Sequence, residues 1–188
     1  MAKLRIISGK FGGRLIDATD NSATHPMGDR VRSALFSKIG SRMSMNGLRI
    51  LDAFAGTGAI GIEALSRGAK SATFVERDHE AQTVLTKNVI QLGLEDQTTI
   101  IKSDVKRWLL HKLPLLDVDK FDIIFCDPPY DKPQWDIIDG LIKTCTTNGL
   151  VVISYRSGET LPNPKGVVVV DKSSYGEASL VFCRRVDD

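Results

Sequence analysis

The sequence predicts an α/β fold, a Rossmann-like, mainly parallel sheet with helices on both faces, preceded by a small β-hairpin and helix extension. Three observations predict it. From Leu48 onward short apolar runs alternate with helical patterns, and repeated β-α-β units build parallel sheets. The short runs are apolar on both faces, as strands covered on both sides must be. A Gly-rich turn at residues 55–58 joins one such strand to a helix, the place where α/β proteins bind ligands.

The elements follow in order. Leu4-Arg5-Ile6-Ile7 and Arg14-Leu15-Ile16 flank Gly12-Gly13, a hairpin signal. Residues 18–27 are polar, include Pro26 and read as loop. Asp29 can cap a helix over about 29–40, with Val31, Leu35, Phe36 and Ile39 at helical spacing. Arg49-Ile50-Leu51 is a strand, and a helix over about 59–67 ends at Gly68. Strand 71–75 leads to a helix over 78–92 stopped by Gly93, then to strand 98–101 and helix 104–112. Strand 121–126 precedes a helix over about 134–146 and strand 150–155. Residues 167–170 and 179–183 close the chain as a hairpin with Tyr175-Gly176 near its tip. Residues 1–47 thus form an N-terminal extension and residues 48–188 the main domain.

At 188 residues the chain is long enough for one domain with a sizeable core. No apolar run reaches the length of a membrane span, and Met1-Ala2-Lys3-Leu4-Arg5 lacks the apolar core of a signal peptide. Three cysteines, Cys126, Cys145 and Cys183, without a Cys-x-x-Cys pair argue against a disulfide framework and a structural zinc site. A reducing cytoplasm is the simplest fit, with neither membrane nor metal as partner. Net charge is +2 but uneven: residues 1–49 hold nine Lys/Arg against three Asp, leaving the remainder at −4. Such asymmetry suits a polyanion as partner of the N-terminal part; a solvated basic surface is the alternative. Arg5, Lys10, Arg14, Arg30 and Arg32 are the phosphate-contact candidates.

Cys126-Asp127-Pro128-Pro129-Tyr130 ends the strand 121–126. Two prolines fix φ and forbid further sheet pairing, so the turn is stiff. It holds the Asp127 carboxylate, a proline carbonyl and the Tyr130 ring in one array. That array suits a planar substrate with an exocyclic amine: the oxygens accept its N–H bonds and the ring stacks on its plane. Leu51-Asp52-Ala53-Phe54-Ala55-Gly56-Thr57-Gly58-Ala59-Ile60-Gly61 is the Gly-rich turn. Gly56 to Gly61 matches G-x-G-x-x-G, and Glu76 lies 20 residues after Gly56, which also raises a nicotinamide dinucleotide. Asp52 weighs against it. A carboxylate there repels a pyrophosphate but attracts the ammonium and sulfonium of S-adenosylmethionine (SAM). Glu76 can accept both ribose hydroxyls, and Asp104 can take the adenine amino group or cap the helix that follows it. Phe54, Gly56, Thr57 and Gly58 complete the candidate cofactor contacts.

Together these residues resemble a class I SAM-dependent methyltransferase. More narrowly, the chain resembles the RsmD family of 16S rRNA guanine-N(2) methyltransferases. The resemblance rests on Arg5-Ile6-Ile7-Ser8-Gly9-Lys10-Phe11-Gly12-Gly13-Arg14-Leu15, on Asp29-Arg30-Val31-Arg32-Ser33-Ala34-Leu35-Phe36, on the Gly-rich turn with Gly61-Ile62-Glu63-Ala64-Leu65-Ser66-Arg67-Gly68-Ala69, and on Asp127-Pro128-Pro129-Tyr130. It implies a seven-stranded sheet, SAM as donor, and 16S rRNA in a small ribosomal subunit or assembly intermediate as substrate. Asp127, Pro128, Pro129 and Tyr130 would then be the catalytic turn. One segment departs from the family, whose Arg-Pro-Thr-x-Asp-Arg is His25-Pro26-Met27-Gly28-Asp29-Arg30 here. An adenine amino-methyltransferase acting on DNA or RNA, and a non-catalytic RNA-binding assembly factor, are the alternatives. His25, His79 and His111 show no ligand spacing, and Trp108 and Trp135 read first as packing residues.

Overall fold

A computed structural model describes residues 2–19, 27–112, 120–131, 134–161 and 163–186. Alternation of period two sets its layers. In β3 (Arg49–Asp52) Ile50 faces one core and Leu51 the other. In β6 (Phe121–Cys126) Ile123 and Phe125 oppose Ile124 and Cys126. In β7 (Cys145–Arg156) Leu150 and Val152 oppose Val151 and Ile153, and β9 (Ala178–Arg185) repeats the pattern. Both faces are therefore apolar and both must be covered.

The cover comes from α1 (Asp29–Gly40), α2 (Ala59–Ser66) and α3 (His79–Leu92) on one face. On the other lie α4 (Val105–Lys112) and α5 (Ile138–Lys143). With β4 (Ser71–Glu76), β5 (Thr98–Lys102) and β8 (Val167–Tyr175), the sheet has seven strands in the order β5-β4-β3-β6-β7-β9-β8. The first five run parallel; β9 is antiparallel to both its neighbours. The order reverses between β3 and β6, the switch point where such sheets open a cleft.

The N-terminal hairpin, β1 (Ala2–Arg5) and β2 (Leu15–Ala18), forms a separate two-stranded sheet with Leu4 opposite Ile16. It is docked by buried polar bonds. The Glu63 carboxylate, fully buried in α2, accepts from Ile7 N at 2.7 Å, Ser8 N at 3.1 Å and Arg67 Nε at 2.7 Å. Ser66 Oγ accepts from Phe11 N at 3.0 Å and donates to Ser8 O at 2.6 Å. Asn88 on α3, also fully buried, accepts from Asp17 N at 2.8 Å and donates to Asp17 O at 2.9 Å and Thr57 O at 3.0 Å. A buried amide or carboxylate left unmet costs about 1–3 kcal/mol, so these bonds fix the register of the extension. Ile6, Phe11, Ile16, Leu35, Phe36 and Ile39 share one core with the sheet.

Three expectations change. Asp29 does not cap α1: Gly28 stands at the N-cap, and the Asp29 carboxylate bonds Arg32 at 2.8 Å instead. The helix expected over 134–146 is a 3-10 turn at Trp135–Ile137 followed by the shorter α5. It stops early because Cys145 pairs with Phe121 and begins β7, while Asn148, at φ 64, marks the irregularity in that strand. The loop expected over 18–27 starts later, since β2 reaches Ala18. Residues 20–26, with His25 and Pro26, lie outside the described residues.

Gly61 shows why the third glycine of the turn is needed. A Cβ there would lie 2.3 Å from the ring of Phe74, a fully buried side chain. Gly61→Val is expected to lower stability by about 3 kcal/mol and Tm by several degrees, as read by thermal unfolding. An unchanged Tm would show that α2 shifts freely on the sheet.

Candidate active site

The site lies at the carboxyl ends of β3, β4, β5 and β6. β3 ends at Asp52, and the chain then turns over the sheet: Ala53 N donates to Phe125 O at 2.9 Å and Ala55 N to Val75 O at 3.1 Å. Gly56 (φ 53) and Gly58 (φ 87) occupy left-handed conformations that side chains resist. A Cβ on Gly56 would meet nothing within 4 Å, so this backbone faces open space; one on Gly58 would strike Leu85 at 2.3 Å. Glu76 at the end of β4 braces the turn. Its Oε2 accepts from Gly56 N at 2.7 Å and its Oε1 from Asp78 N at 2.7 Å.

The cleft above the turn encloses about 630 Å³ open to solvent, and Phe54, Gly56, Thr57, Glu76, Asp127 and Pro129 line it. Phe54, Glu76 and Pro129 also border an adjoining recess that reaches Ser103 and Asp104. Asp104 Oδ1 accepts from Lys106 N at 2.9 Å, so it caps α4 and still borders the recess. On the other side of Asp127 a smaller recess is bounded by Met27, Cys126, Ser154 and Leu180.

Asp52 does not line the cleft. It is buried beneath the turn, where Oδ2 accepts from Gly61 N at 2.9 Å and Oδ1 has no partner. Burial pushes its pKa up to about 7; the Gly61 bond opposes the rise, and repulsion from Asp127 and Glu76 adds to it. Asp127 is pushed up to about 6, again by burial, with the nearby Ser154 hydroxyl opposing the rise. Tyr130 Oη lies 2.6 Å from Ser154 Oγ. Among the described residues no ion pair involves Asp52, Glu76 or Asp127. Glu76 and Asp127 in the cleft wall, with Asp52 beneath it and no base beside the three among the described residues, favour a cation there. An orphaned acid under a glycine turn fits a nucleoside carrying ammonium or sulfonium charge. It does not fit a pyrophosphate.

The basic candidates stand elsewhere. Arg5, Lys10, Arg14 and Arg30 are exposed; Lys10 Nζ and the Arg14 guanidinium lie 5.2 Å and 5.4 Å from the Phe11 ring centroid. None of them lines the cleft. Arg32 is a correction. It is 1 % exposed and donates to Met27 O at 2.9 Å, Arg5 O at 2.6 Å and Asp29 at 2.8 Å. It is a buried strut of the extension rather than a phosphate contact. Trp135 packs edge-on to Tyr155, with ring centroids 6.5 Å apart, away from the cleft.

Sequence reasoning missed Ser154, whose hydroxyl lies 2.6 Å from Tyr130 Oη and which borders the same small recess as Asp127. Its one signal was a small polar residue interrupting Val151-Val152-Ile153. It also missed Ala18, Thr19 and Met27, which the extension contributes to the cleft wall.

Residues 4–184 match the family described as conserved hypothetical protein 95. The chain is 34 % identical over 186 residues to the provisionally named rRNA methyltransferase YlbH of Bacillus subtilis, spanning 97 % of this chain and 99 % of that one. It is 34 % identical over 147 residues to ribosomal RNA small subunit methyltransferase D of Escherichia coli K12, spanning 78 % and 69 %. The solved structure of a provisionally named methyltransferase, yhhF of Escherichia coli, superposes with a TM-score of 0.81 at 25 % identity over 100 % of both chains. Since these matches include residues ahead of β3, the hairpin and α1 are part of the shared fold.

Proposed function

Because the chain belongs to the RsmD family, the one described as conserved hypothetical protein 95, we propose that it methylates 16S rRNA. In this reading a methyl group passes from SAM to the exocyclic N(2) amine of a guanine in a small ribosomal subunit or assembly intermediate, which places the protein in the cytoplasm. The observation that carries the reading is the position of Asp127. A carboxylate at the end of a stiff turn borders the same cleft as the glycine turn and Glu76.

When bound, SAM supplies an electrophilic methyl on a sulfonium. The chain supplies binding and orientation. Asp52, Phe54, Gly56, Thr57, Gly58 and Glu76 are assigned to the donor, with Asp104 at the far recess for the adenine amine. Asp52 would pair its orphaned oxygen with the cationic end of the donor. Asp127 and the Pro128 carbonyl accept the two hydrogens of the target amine, whose lone pair is otherwise delocalised into the base. This favours a pyramidal, nucleophilic nitrogen and stabilises the positive charge that develops on it. Pro129 stiffens the turn, and Tyr130 offers a ring for stacking. The base must leave its stack to reach this turn. Arg5, Lys10, Arg14 and Arg30 on the extension are assigned to RNA phosphates.

The test is incubation with labelled SAM and small subunits from a strain lacking the protein, beside naked rRNA and DNA, followed by digestion to nucleosides. Label in N(2)-methylguanosine from the subunits is the expected result. Label in methyladenosine or DNA would keep the chemistry of the turn and overturn the substrate. No label in any nucleic acid would overturn the rRNA reading.

A further inference from the structure

Three backbone groups meet on one buried side chain of α3. Asn88 Oδ1 accepts from Asp17 N at 2.8 Å, and its Nδ2 donates to Asp17 O at 2.9 Å and to Thr57 O at 3.0 Å. An N–H only donates and a carbonyl only accepts, so these partners allow one orientation of the amide and use both of its hydrogens. Each partner leads into the cleft. Asp17 precedes Ala18 and Thr19, the wall that the extension contributes, and Thr57 belongs to the wall made by the glycine turn. The Thr57 carbonyl is drawn down toward α3 between Gly56 and Gly58, whose backbone is otherwise free to turn. The rest of the extension is docked elsewhere. Glu63 and Ser66 hold Ile7, Ser8 and Phe11, and none of these three lines the cleft. The Asp17 carboxylate meets Lys3 and Lys87, whose side chains are 51 % and 60 % exposed. Pairs with exposed lysines contribute little and do not fix the Asp17 peptide.

We propose that Asn88 is a positioning residue for the donor site, holding the Ala18–Thr19 wall and the Thr57 carbonyl in one arrangement, so that the extension takes part in binding SAM. The proposal rests on the assignment of the cleft to SAM. It goes beyond that assignment by naming a residue that does not line the cleft and by tying the extension to the donor as well as to RNA. An asparagine kept only to dock the extension would affect stability alone. Ser66 supplies the comparison, because it makes two bonds to the same extension, from Phe11 N and to Ser8 O, away from the cleft walls.

The test uses the full chain. Calorimetric titration with SAM is run on Asn88→Ala and Ser66→Ala well below the Tm of each. Asn88→Ala is expected to raise the Kd for SAM at least about tenfold, the scale of one buried hydrogen bond. Its kcat on small subunits at saturating SAM should stay within about threefold of wild type, so that the loss falls on KM. Ser66→Ala should lower Tm and leave the Kd within about twofold. A second measurement needs no variant to fold: amide hydrogen exchange of the unaltered protein with and without SAM. A local opening that frees Asp17 N from Asn88 also undoes the cleft, whereas one that frees Phe11 N from Ser66 does not. SAM at about 100 times its Kd suppresses the first kind of opening up to about 100-fold. Slowing at Asp17 is therefore expected to exceed that at Phe11 at least about tenfold. An unchanged Kd in Asn88→Ala, an equal rise in both variants, or equal slowing at the two amides would overturn the proposal. A wild type that binds SAM in this Asn88-dependent way yet labels no nucleic acid would sink the rRNA reading alone and support the role of Asn88. A wild type that binds no SAM would sink both.

Discussion

Asp127→Ala is expected to lower kcat for rRNA methylation by about 100- to 1,000-fold, the usual cost of removing one group that stabilises developing charge. The Kd for SAM should stay within about threefold. The split follows from the geometry. Asp127 borders the cleft, but the walls assigned to the donor, Phe54, Gly56, Thr57 and Glu76, belong to other elements and remain. Removing the carboxylate also removes a repulsion on Asp52, so donor binding has no cause to weaken. Labelled-methyl transfer to small subunits and calorimetric titration with SAM read the two quantities separately. Asp127→Asn refines the test: it keeps the shape of the side chain and loses its charge. A loss equal to that of Asp127→Ala would assign the effect to charge rather than to shape. Near-normal turnover in Asp127→Ala would remove Asp127 from the reaction.

Asp52→Asn is expected to stabilise the ligand-free protein at pH 8 while weakening donor binding at least about tenfold. The sign follows from burial. The folded pKa of Asp52 is raised from 3.8 to about 7, so the fold favours its neutral form. The stability this group contributes is fully present below about pH 4 and is lost as pH rises through about 7. At pH 8 the wild type holds a buried carboxylate with one unpartnered oxygen. Asparagine is neutral throughout and keeps an oxygen for the Gly61 amide. A gain of about 1–4 kcal/mol follows, seen as a Tm several degrees above wild type at pH 8. The gap should close as pH falls to about 4. Wild-type affinity for SAM should rise as pH rises through about 7, because the ionised acid is the form that attracts a cation; the variant should lack this dependence. A lower Tm at pH 8 with donor binding intact would make Asp52 only a structural acceptor for Gly61. An acid retained at a cost to the free protein is what a ligand site requires.

Much of this was legible in the residues because it is local. Helix α3 starts and ends where capping chemistry places it, with Asp78 at its N-cap and Gly93 in the left-handed conformation that stops it. The strands follow from apolar runs, and the turns at Gly56 and Gly58 from a backbone only glycine adopts freely. The start of β7 was misjudged because Cys145 to Gly149 has no strong pattern of its own, and pairing with β6 settles it. Arg32 was misassigned for a related reason. A charged residue near a basic run looks exposed until three oxygens, from Arg5, Met27 and Asp29, are found around it.

The sequence by itself determined the layered α/β order, the glycine turn, and the Asp127-Pro128-Pro129-Tyr130 turn at a strand end. Each of these is encoded by neighbours a few residues apart, through side-chain period, backbone freedom and proline stiffness. Tertiary structure alone decided which carboxylates share a cleft, that Glu63 and Asn88 clasp an extension more than fifty residues away in the chain, and that Ser154 meets the Tyr130 hydroxyl. Those contacts join residues that no local pattern relates, and burial then sets their charge, because an acid's pKa depends on the solvent and partners that the fold leaves it.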